Sequence, residues 1–179
     1  MLMGGDGIFN HDKDHKKNIE KKWICAIKLI NYKKEAIMDR REIVLAGLST
    51  GNCDLYSPVQ IQKLFFLIDK NIADKINNKP FFNFEPYNYG PFDKDVYTTL
   101  GELAKEGLVE IIPQGSWDSY KLSNEGQKVG AEIISSLSQP QQEYIKAVSE
   151  FVRKLSFSEL VSAIYKEYPD MKTNSVFQY

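Results

Sequence analysis

Residue types that could carry out catalysis or bind a transition metal are few in this sequence, and their positions restrict its chemistry. Both histidines, His11 and His15, lie in the first segment, and no histidine occurs from residue 38 to the end. Cys53 is the single cysteine of that stretch. Residues 38–179 therefore lack the partners for a Ser-His-Asp or Cys-His catalytic site, and the set of Cys and His ligands that a structural zinc ion requires.

Carboxylates are the remaining groups that could bind a metal. Glu85, Asp93 and Asp95 surround a Gly-Pro turn, and oxygen ligands of this kind can hold Mg²⁺. The simpler interpretation is that Asp93 and Asp95 lie in the first turn of a helix, where the helix dipole favours acidic side chains. We therefore expect no metal site, no cofactor and no catalytic residue, and we interpret the protein as non-enzymatic.

Aromatic residues are concentrated in residues 81–92, which contain six Phe and Tyr side chains and two prolines. Some of these rings are expected to fill the core. Six rings in twelve residues exceed what one small core usually takes up, and Tyr is enriched at interfaces because it combines apolar area with a hydroxyl group. A partner-binding surface around Tyr87, Tyr89 and Phe92 is the alternative to core packing, and both interpretations stay open.

The elements that position these residues follow from apolar periodicity and from helix start and stop signals. Ser57-Pro58 predicts a helix cap followed by the first turn, and Gly107 predicts a left-handed helix end. We predict helices over residues 39–48, 58–76, 92–106, 123–137 and 139–154, and a sixth that begins at Ser156 or Ser158 and ends before Pro169. Strands are predicted over 108–112 and 117–122, with Ile111 and Tyr120 directed into the core.

Helix, helix, helix, strand, tight turn, strand and helix is the element order of a winged helix. We therefore predict a mainly α fold with a small β-hairpin, in which a winged-helix-like core carries additional C-terminal helices and an N-terminal helical arm. This order is informative about architecture and weak evidence about function.

DNA binding is the function that a winged helix first suggests. In such proteins the third helix enters the major groove, where cationic and amide side chains meet phosphates and base edges. Here four acidic residues face two lysines around that helix, which predicts repulsion of phosphate unless Arg40 and Arg41 fold onto the same face. The residues that would contact nucleic acid in this alternative are Lys94, Thr98, Thr99 and Lys121.

Charge divides the chain after residue 37. Residues 1–37 carry a net charge of +3 and are predicted to form a basic N-terminal arm with one amphipathic helix, whereas residues 38–179 carry −4 and form the predicted globular domain. No apolar run approaches the ~18 residues of a membrane span, and the first residues lack the apolar stretch of a signal peptide. We expect a cytoplasmic protein with no membrane partner.

Two stretches resemble the YwgA-type bacterial proteins, namely QKLFFL at residues 62–67 and FEPYNYGPF at residues 84–92, followed by Val96, Tyr97 and Leu100. More distantly, they are similar to the Panacea (SocA-like) antitoxin domain, in which a helix with a Lys-Leu pair precedes an aromatic-Gly-Pro element that opens the next helix. The resemblance covers residues 57–112. It implies a mostly helical cytoplasmic module that neutralises a toxin by direct contact.

The function that we predict is a non-catalytic protein-interaction module of the antitoxin or regulator kind, in a bacterial toxin–antitoxin or defence setting. Its expected partner is another protein, such as a toxin encoded nearby, bound through Tyr87, Tyr89 and Phe92. The alternative is a winged-helix DNA-binding transcription regulator that acts as a homodimer.

Overall fold

The computed structural model describes residues 38–178, which form six α-helices and two two-stranded antiparallel sheets. The mainly α fold with a small β-hairpin is thereby confirmed, while the predicted arm of residues 1–37 and its helix lie outside the described residues. The helices are α1 (Arg40–Ser49), α2 (Pro58–Asn77), α3 (Lys94–Lys105), α4 (Asn124–Ser136), α5 (Gln139–Lys154) and α6 (Phe157–Glu167), with a 3₁₀ turn at Pro169–Lys172. The strands are β1 (Glu85–Tyr87), β2 (Gly90–Phe92), β3 (Val109–Pro113) and β4 (Asp118–Leu122).

Helix starts are fixed by local capping. The hydroxyl of Ser57 accepts a hydrogen bond from the backbone N–H of Gln60, the Gln60 side chain accepts one from the Ser57 N–H, and Pro58 begins α2. Asp39 and Ser156 cap α1 and α6 with the same reciprocal arrangement. Because these signals lie within four residues of each start, the predicted and observed starts differ by at most two residues.

The core is formed by apolar side chains of α1, α2, α3, α5 and α6. Helix α4 packs against this core with its backbone close to neighbouring backbone, because Gly126 and Gly130 have no side chain at the contact. A Cβ atom at Gly126 would lie 2.0 Å from the carbonyl oxygen of Leu108, and one at Gly130 would lie 2.4 Å from that of Leu45. Within residues 38–178, no helix combines the length and apolar character needed to cross a bilayer.

The apolar residues of the β3–β4 sheet are buried at its base, and Ser119 of β4 is also buried. At the base, Val109 pairs with Leu122, and both side chains are buried. Ile111 is 38 % exposed, so its prediction as a core residue was wrong: it lies on β3 beyond the buried base residue Val109. Tyr120 is half-buried, and its backbone exchanges hydrogen bonds of 2.8 and 2.9 Å with Tyr56, which precedes α2.

The β1–β2 sheet lies within the aromatic stretch of residues 81–92, where no strands were predicted. Glu85 pairs with Phe92 and Tyr87 with Gly90, and Asn88-Tyr89 forms the turn. The end of the described chain braces this turn, since the N–H of Val176 donates to the carbonyl oxygen of Asn88 at 3.0 Å. The hairpin is therefore held by a segment about ninety residues away in sequence.

Candidate functional site

A pocket of about 590 Å³ lies between the first half of α2, the β1–β2 hairpin and the start of α6. Its volume falls within the range of ligand-binding clefts in proteins. Most of its lining side chains are apolar or aromatic: Pro58, Val59, Tyr87, Tyr89, Pro91, Phe92, Tyr97, Trp117, Leu155, Phe157 and Leu160. We call this feature the aromatic pocket.

Helix α2 positions the hairpin by contacting its backbone. The side-chain amide of Gln62 donates to the carbonyl oxygen of Asp93 at 3.0 Å, and its carbonyl oxygen accepts from the Asp93 N–H at 3.0 Å. The Nζ of the adjacent Lys63 donates to the carbonyl oxygen of Pro91 at 3.2 Å. Two neighbouring helix residues thus fix the strand that lines the pocket.

Gly90 lets the hairpin approach α2 closely. Its φ of +95° lies in a region that residues with a Cβ atom rarely adopt. A Cβ atom there would lie 3.2 Å from Cε1 of Tyr165 and 3.5 Å from Nζ of Lys63. The Gly-Pro turn is therefore required by both backbone conformation and space.

One half-buried and one buried carboxylate, those of Asp69 and Asp93, hold the segment before the hairpin. Asp69 of α2 accepts hydrogen bonds from the N–H groups of Phe81 and Phe82 at 2.7 and 2.9 Å, and burial raises its pKa to about 6. Asp93 accepts from the N–H groups of Asn83 and Asp95 at 2.6 and 2.8 Å.

Two of the three acids around the Gly-Pro turn, Asp93 and Asp95, have structural roles at the start of α3. Asp93 caps α3, and Asp95 pairs with Arg40 at 2.7 Å. Among the described residues, no group of three or more His, Cys, Asp or Glu side chains could hold a metal ion. Glu85 is exposed on β1 and has no part in such a group.

The rim of the aromatic pocket is exposed. Tyr87 is 53 % exposed, Tyr89 45 %, Trp117 54 % and Phe157 44 %. Ring contacts link the rim, because Tyr87 lies 5.0 Å from Phe92 and Tyr89 lies 5.1 Å from Phe157 between ring centroids. The aromatic segment therefore divides: Phe81 and Phe82 fill the core, whereas Tyr87, Tyr89 and Phe92 line the pocket.

Several lining residues were not singled out in the sequence. Trp117 comes from the β3–β4 turn and Phe157 from the first turn of α6, and neither is near residues 87–92 in the chain. The signal in the sequence was that Phe157 directly follows Ser156, the cap of α6, and so lies at the very start of the helix. Lys63 belongs to the QKLFFL stretch of residues 62–67, but nothing in the sequence indicates that its side chain is buried.

Lys63 is the buried basic group of this site. Its side chain is 2 % exposed, and burial lowers its pKa to about 7. Tyr97 lines the same pocket, and burial raises its pKa to about 12. The pocket thus contains one amine of altered acidity among phenols and hydrocarbon.

The residues predicted for nucleic-acid contact do not form one basic surface. Lys94 and Thr98 are exposed on α3, but Thr99 is buried and donates to the carbonyl oxygen of Asp95 at 2.8 Å. Lys121 lies on β4 and pairs with Glu110 at 3.0 Å. These four residues are therefore split between two elements, and one of them is inaccessible.

Arg40 and Arg41 do fold against α3. Arg40 pairs with Asp95 at 2.7 Å and Arg41 pairs with Glu106, a contact that raises the pKa of the Arg41 guanidinium. Each arginine thus neutralises one acidic residue of the helix. The result is a charge-compensated face, to which we refer as the α1–α3 face.

None of the family models, curated proteins or solved structures compared with this chain matches it.

Proposed function

We propose that this protein is a non-catalytic protein-interaction module of the antitoxin or regulator kind, and that the aromatic pocket is its partner-binding surface. The resemblance of residues 57–112 to YwgA-type proteins and the SocA-like antitoxin domain suggests a bacterial toxin–antitoxin or defence setting. The expected partner is a protein encoded by a neighbouring gene.

The observation that carries this proposal is the exposed aromatic rim around an apolar cavity. Tyr87, Tyr89, Trp117 and Phe157 come from three separate elements, and each keeps between 44 and 54 % of its surface exposed. Interface hot spots are enriched in Trp and Tyr and cluster around pockets that exclude water. Contiguous exposed apolar surface is uncommon on monomeric proteins unless it binds something.

The chemistry of the site favours binding over catalysis. Residues 38–178 contain no histidine, and the two acids that hold the segment before the hairpin, Asp69 and Asp93, are hydrogen-bonded to backbone N–H groups. A general acid or base must reach the substrate. Asp69 and Asp93 are absent from the lining of the aromatic pocket.

Co-expression with the product of the adjacent gene tests the proposal. Replacing Tyr87 and Tyr89 by Ala should abolish co-purification of the two proteins on size exclusion. Phe151→Ala is the matched control, since Phe151 is an aromatic residue of α5, 40 % exposed and outside the pocket. A complex that survives the Tyr87/Tyr89 double change contradicts the proposed surface.

A winged-helix DNA-binding regulator, acting as a homodimer, is the second candidate. The order α1, α2, α3, β3, β4 favours it, although the β1–β2 hairpin lies between α2 and α3. The single β-bridge between Tyr56, before α2, and Tyr120 of β4 also favours it. The compensated charges of the α1–α3 face argue against strong phosphate binding.

A mobility-shift assay with the upstream DNA, at 50 and 200 mM salt, separates the two candidates. A DNA-binding regulator would bind with a steep loss of affinity at higher salt. Lys94→Ala should weaken such binding, whereas Tyr89→Ala should leave it unchanged.

A further inference from the structure

The amine of Lys63 is buried without an acidic partner. Its side chain makes one hydrogen bond, to the carbonyl oxygen of Pro91, although an ammonium group has three donors. Burial alone accounts for its lowered pKa, because no neighbouring charge raises it. An ammonium group in apolar surroundings is costly unless a counter-charge compensates it.

Nothing in the pocket wall supplies that counter-charge. Among the described residues that line the aromatic pocket, none is Asp or Glu. Its titratable members besides Lys63 are Tyr87, Tyr89 and Tyr97, and tyrosine is uncharged near neutral pH. Tyr165 of α6 approaches the same space beside Gly90 and is another phenol.

The helix dipole at the start of α2 also favours an anion, while the N–H groups of Ser57 and Gln60 are already used in the helix cap. The first turn of α2, from Ser57 to Gln60, forms one side of the pocket. The helix dipole places a partial positive charge at this end. An anion in the pocket would thus meet Lys63 and the start of the same helix.

We propose that the aromatic pocket binds an acidic side chain of the partner protein, presented between apolar side chains, with its carboxylate on the Nζ of Lys63. This inference rests on the proposed function and specifies the chemistry of the partner. The aromatic rim contacts the apolar neighbours of that acid, and the carboxylate supplies the missing counter-charge. A charge-assisted hydrogen bond in a dehydrated pocket is stronger than one between neutral groups.

Two short peptides serve as probes, acetyl-Phe-Glu-Phe-amide and acetyl-Phe-Gln-Phe-amide, which differ only in the carboxylate. Calorimetric titration of the protein at pH 6 should give the Glu peptide an affinity at least about tenfold higher. Its affinity should fall about tenfold between pH 6 and pH 8, as Lys63 loses its proton, while that of the Gln peptide stays constant.

Variants of two lysines on α2 test whether Lys63 causes the preference for the Glu peptide. Lys63→Met should remove the preference for the Glu peptide and its pH dependence. Lys70→Met should retain both, since Lys70 lies on the same helix but is exposed and outside the pocket. Far-UV circular dichroism checks that each variant folds, and the comparison of the two peptides on the unmodified protein holds whatever the variants do.

Two results would overturn the inference. If the peptides bind equally well, the pocket is an apolar binding surface without carboxylate recognition, and the proposed function still holds. If neither binds, the pocket has no affinity for an acidic segment flanked by apolar residues. The proposed function is then decided separately by the Tyr87/Tyr89 co-purification experiment.

Discussion

The aromatic pocket and the α1–α3 face differ in whether their side chains satisfy one another. On the α1–α3 face, Arg40 and Arg41 neutralise Asp95 and Glu106. In the pocket, large rings remain about half exposed, and Lys63 lacks a counter-charge. The segment around Asp93 connects the two regions, since the Asp93 N–H donates to Gln62 of the pocket wall and the Asp93 carboxylate accepts from the N–H of Asp95.

This difference indicates where binding free energy is available. Ion pairs at a surface are already solvated and paired, and a ligand must compete with both partners. Exposed aromatic area gains free energy when it is removed from water, at about 25 cal/mol per Å². Nucleic acid would need more cationic side chains than Lys94 and Lys105, the two lysines of α3, whereas a polypeptide with apolar side chains needs only the rim.

The largest expected effect is on affinity for the partner protein, and it should differ between the aromatic pocket and the α1–α3 face. Trp117→Ala and Phe157→Ala should each weaken the complex by roughly tenfold to a hundredfold, because each removes a large ring from the pocket rim. Arg40→Gln and Arg41→Gln should change it by less than about twofold. Calorimetric titration of the purified partner measures both. If the two arginine variants lost as much affinity as the Trp117 and Phe157 variants, the aromatic pocket and the α1–α3 face would not differ in partner binding.

The second prediction concerns the stability of the pocket region as a function of pH. Burial lowers the folded-state pKa of Lys63 to about 7, below the ordinary lysine value of 10.5, so the unfolded chain binds more protons between these values. The free energy of unfolding should therefore rise with pH, by on the order of 2 kcal/mol between pH 7 and pH 9 from this group.

Urea denaturation of the protein and of Lys63→Met at both pH values checks this. The variant lacks the titrating amine, so the pH-dependent increase should be smaller in it by about that amount. An identical pH dependence in the two proteins would mean that Lys63 keeps its proton in the folded state.

The third prediction compares a glycine from each region. Gly90→Ala should destabilise the protein by roughly 1–3 kcal/mol, because φ is +95° and the new methyl group would press on Tyr165. Gly101→Ala, in α3, should stabilise it by up to about 1 kcal/mol, since no atom lies within 4 Å of its Cβ position and Ala favours a helix. Thermal unfolding measures both, and a destabilising Gly101→Ala would show a contact missing from this account.

The smallest effect is expected for the ion pair of Arg41 with Glu106. Both side chains are at least one-third exposed, so solvent screens their interaction. A double-mutant cycle with Arg41→Gln and Glu106→Gln should give a coupling below about 1 kcal/mol, reduced further in 1 M salt. A larger coupling that resists salt would show that this face is more rigid than its exposure indicates.

The sequence predicted the helices well because their signals are local. Ser57-Pro58 and Ser156 begin helices through contacts with residues at most three positions away. The β1–β2 hairpin was missed because Pro86 and Pro91 weaken the strand signal and the bracing contact comes from Val176. Which rings would be buried depended on long-range packing, so Tyr87, Tyr89 and Phe92 could be proposed as a surface but not distinguished from core residues.

The burial of Lys63 could not be predicted from the sequence either, because lysine side chains in helices are usually exposed. Its role depends on the hairpin folding back onto α2, and the hydrogen bond to Pro91 spans 28 residues. The ion pairs of Arg40 and Arg41 depend on α1 packing beside α3, which periodicity alone could not establish.

Site-specific photo-crosslinking in cells tests the central claim most directly. A benzophenone amino acid is placed at Tyr89 in the aromatic pocket or at Thr98, an exposed position on α3. Our account predicts a discrete covalent adduct with the product of the adjacent gene from position 89 and none from position 98. A crosslink to DNA from position 98, with no polypeptide captured at position 89, would contradict it.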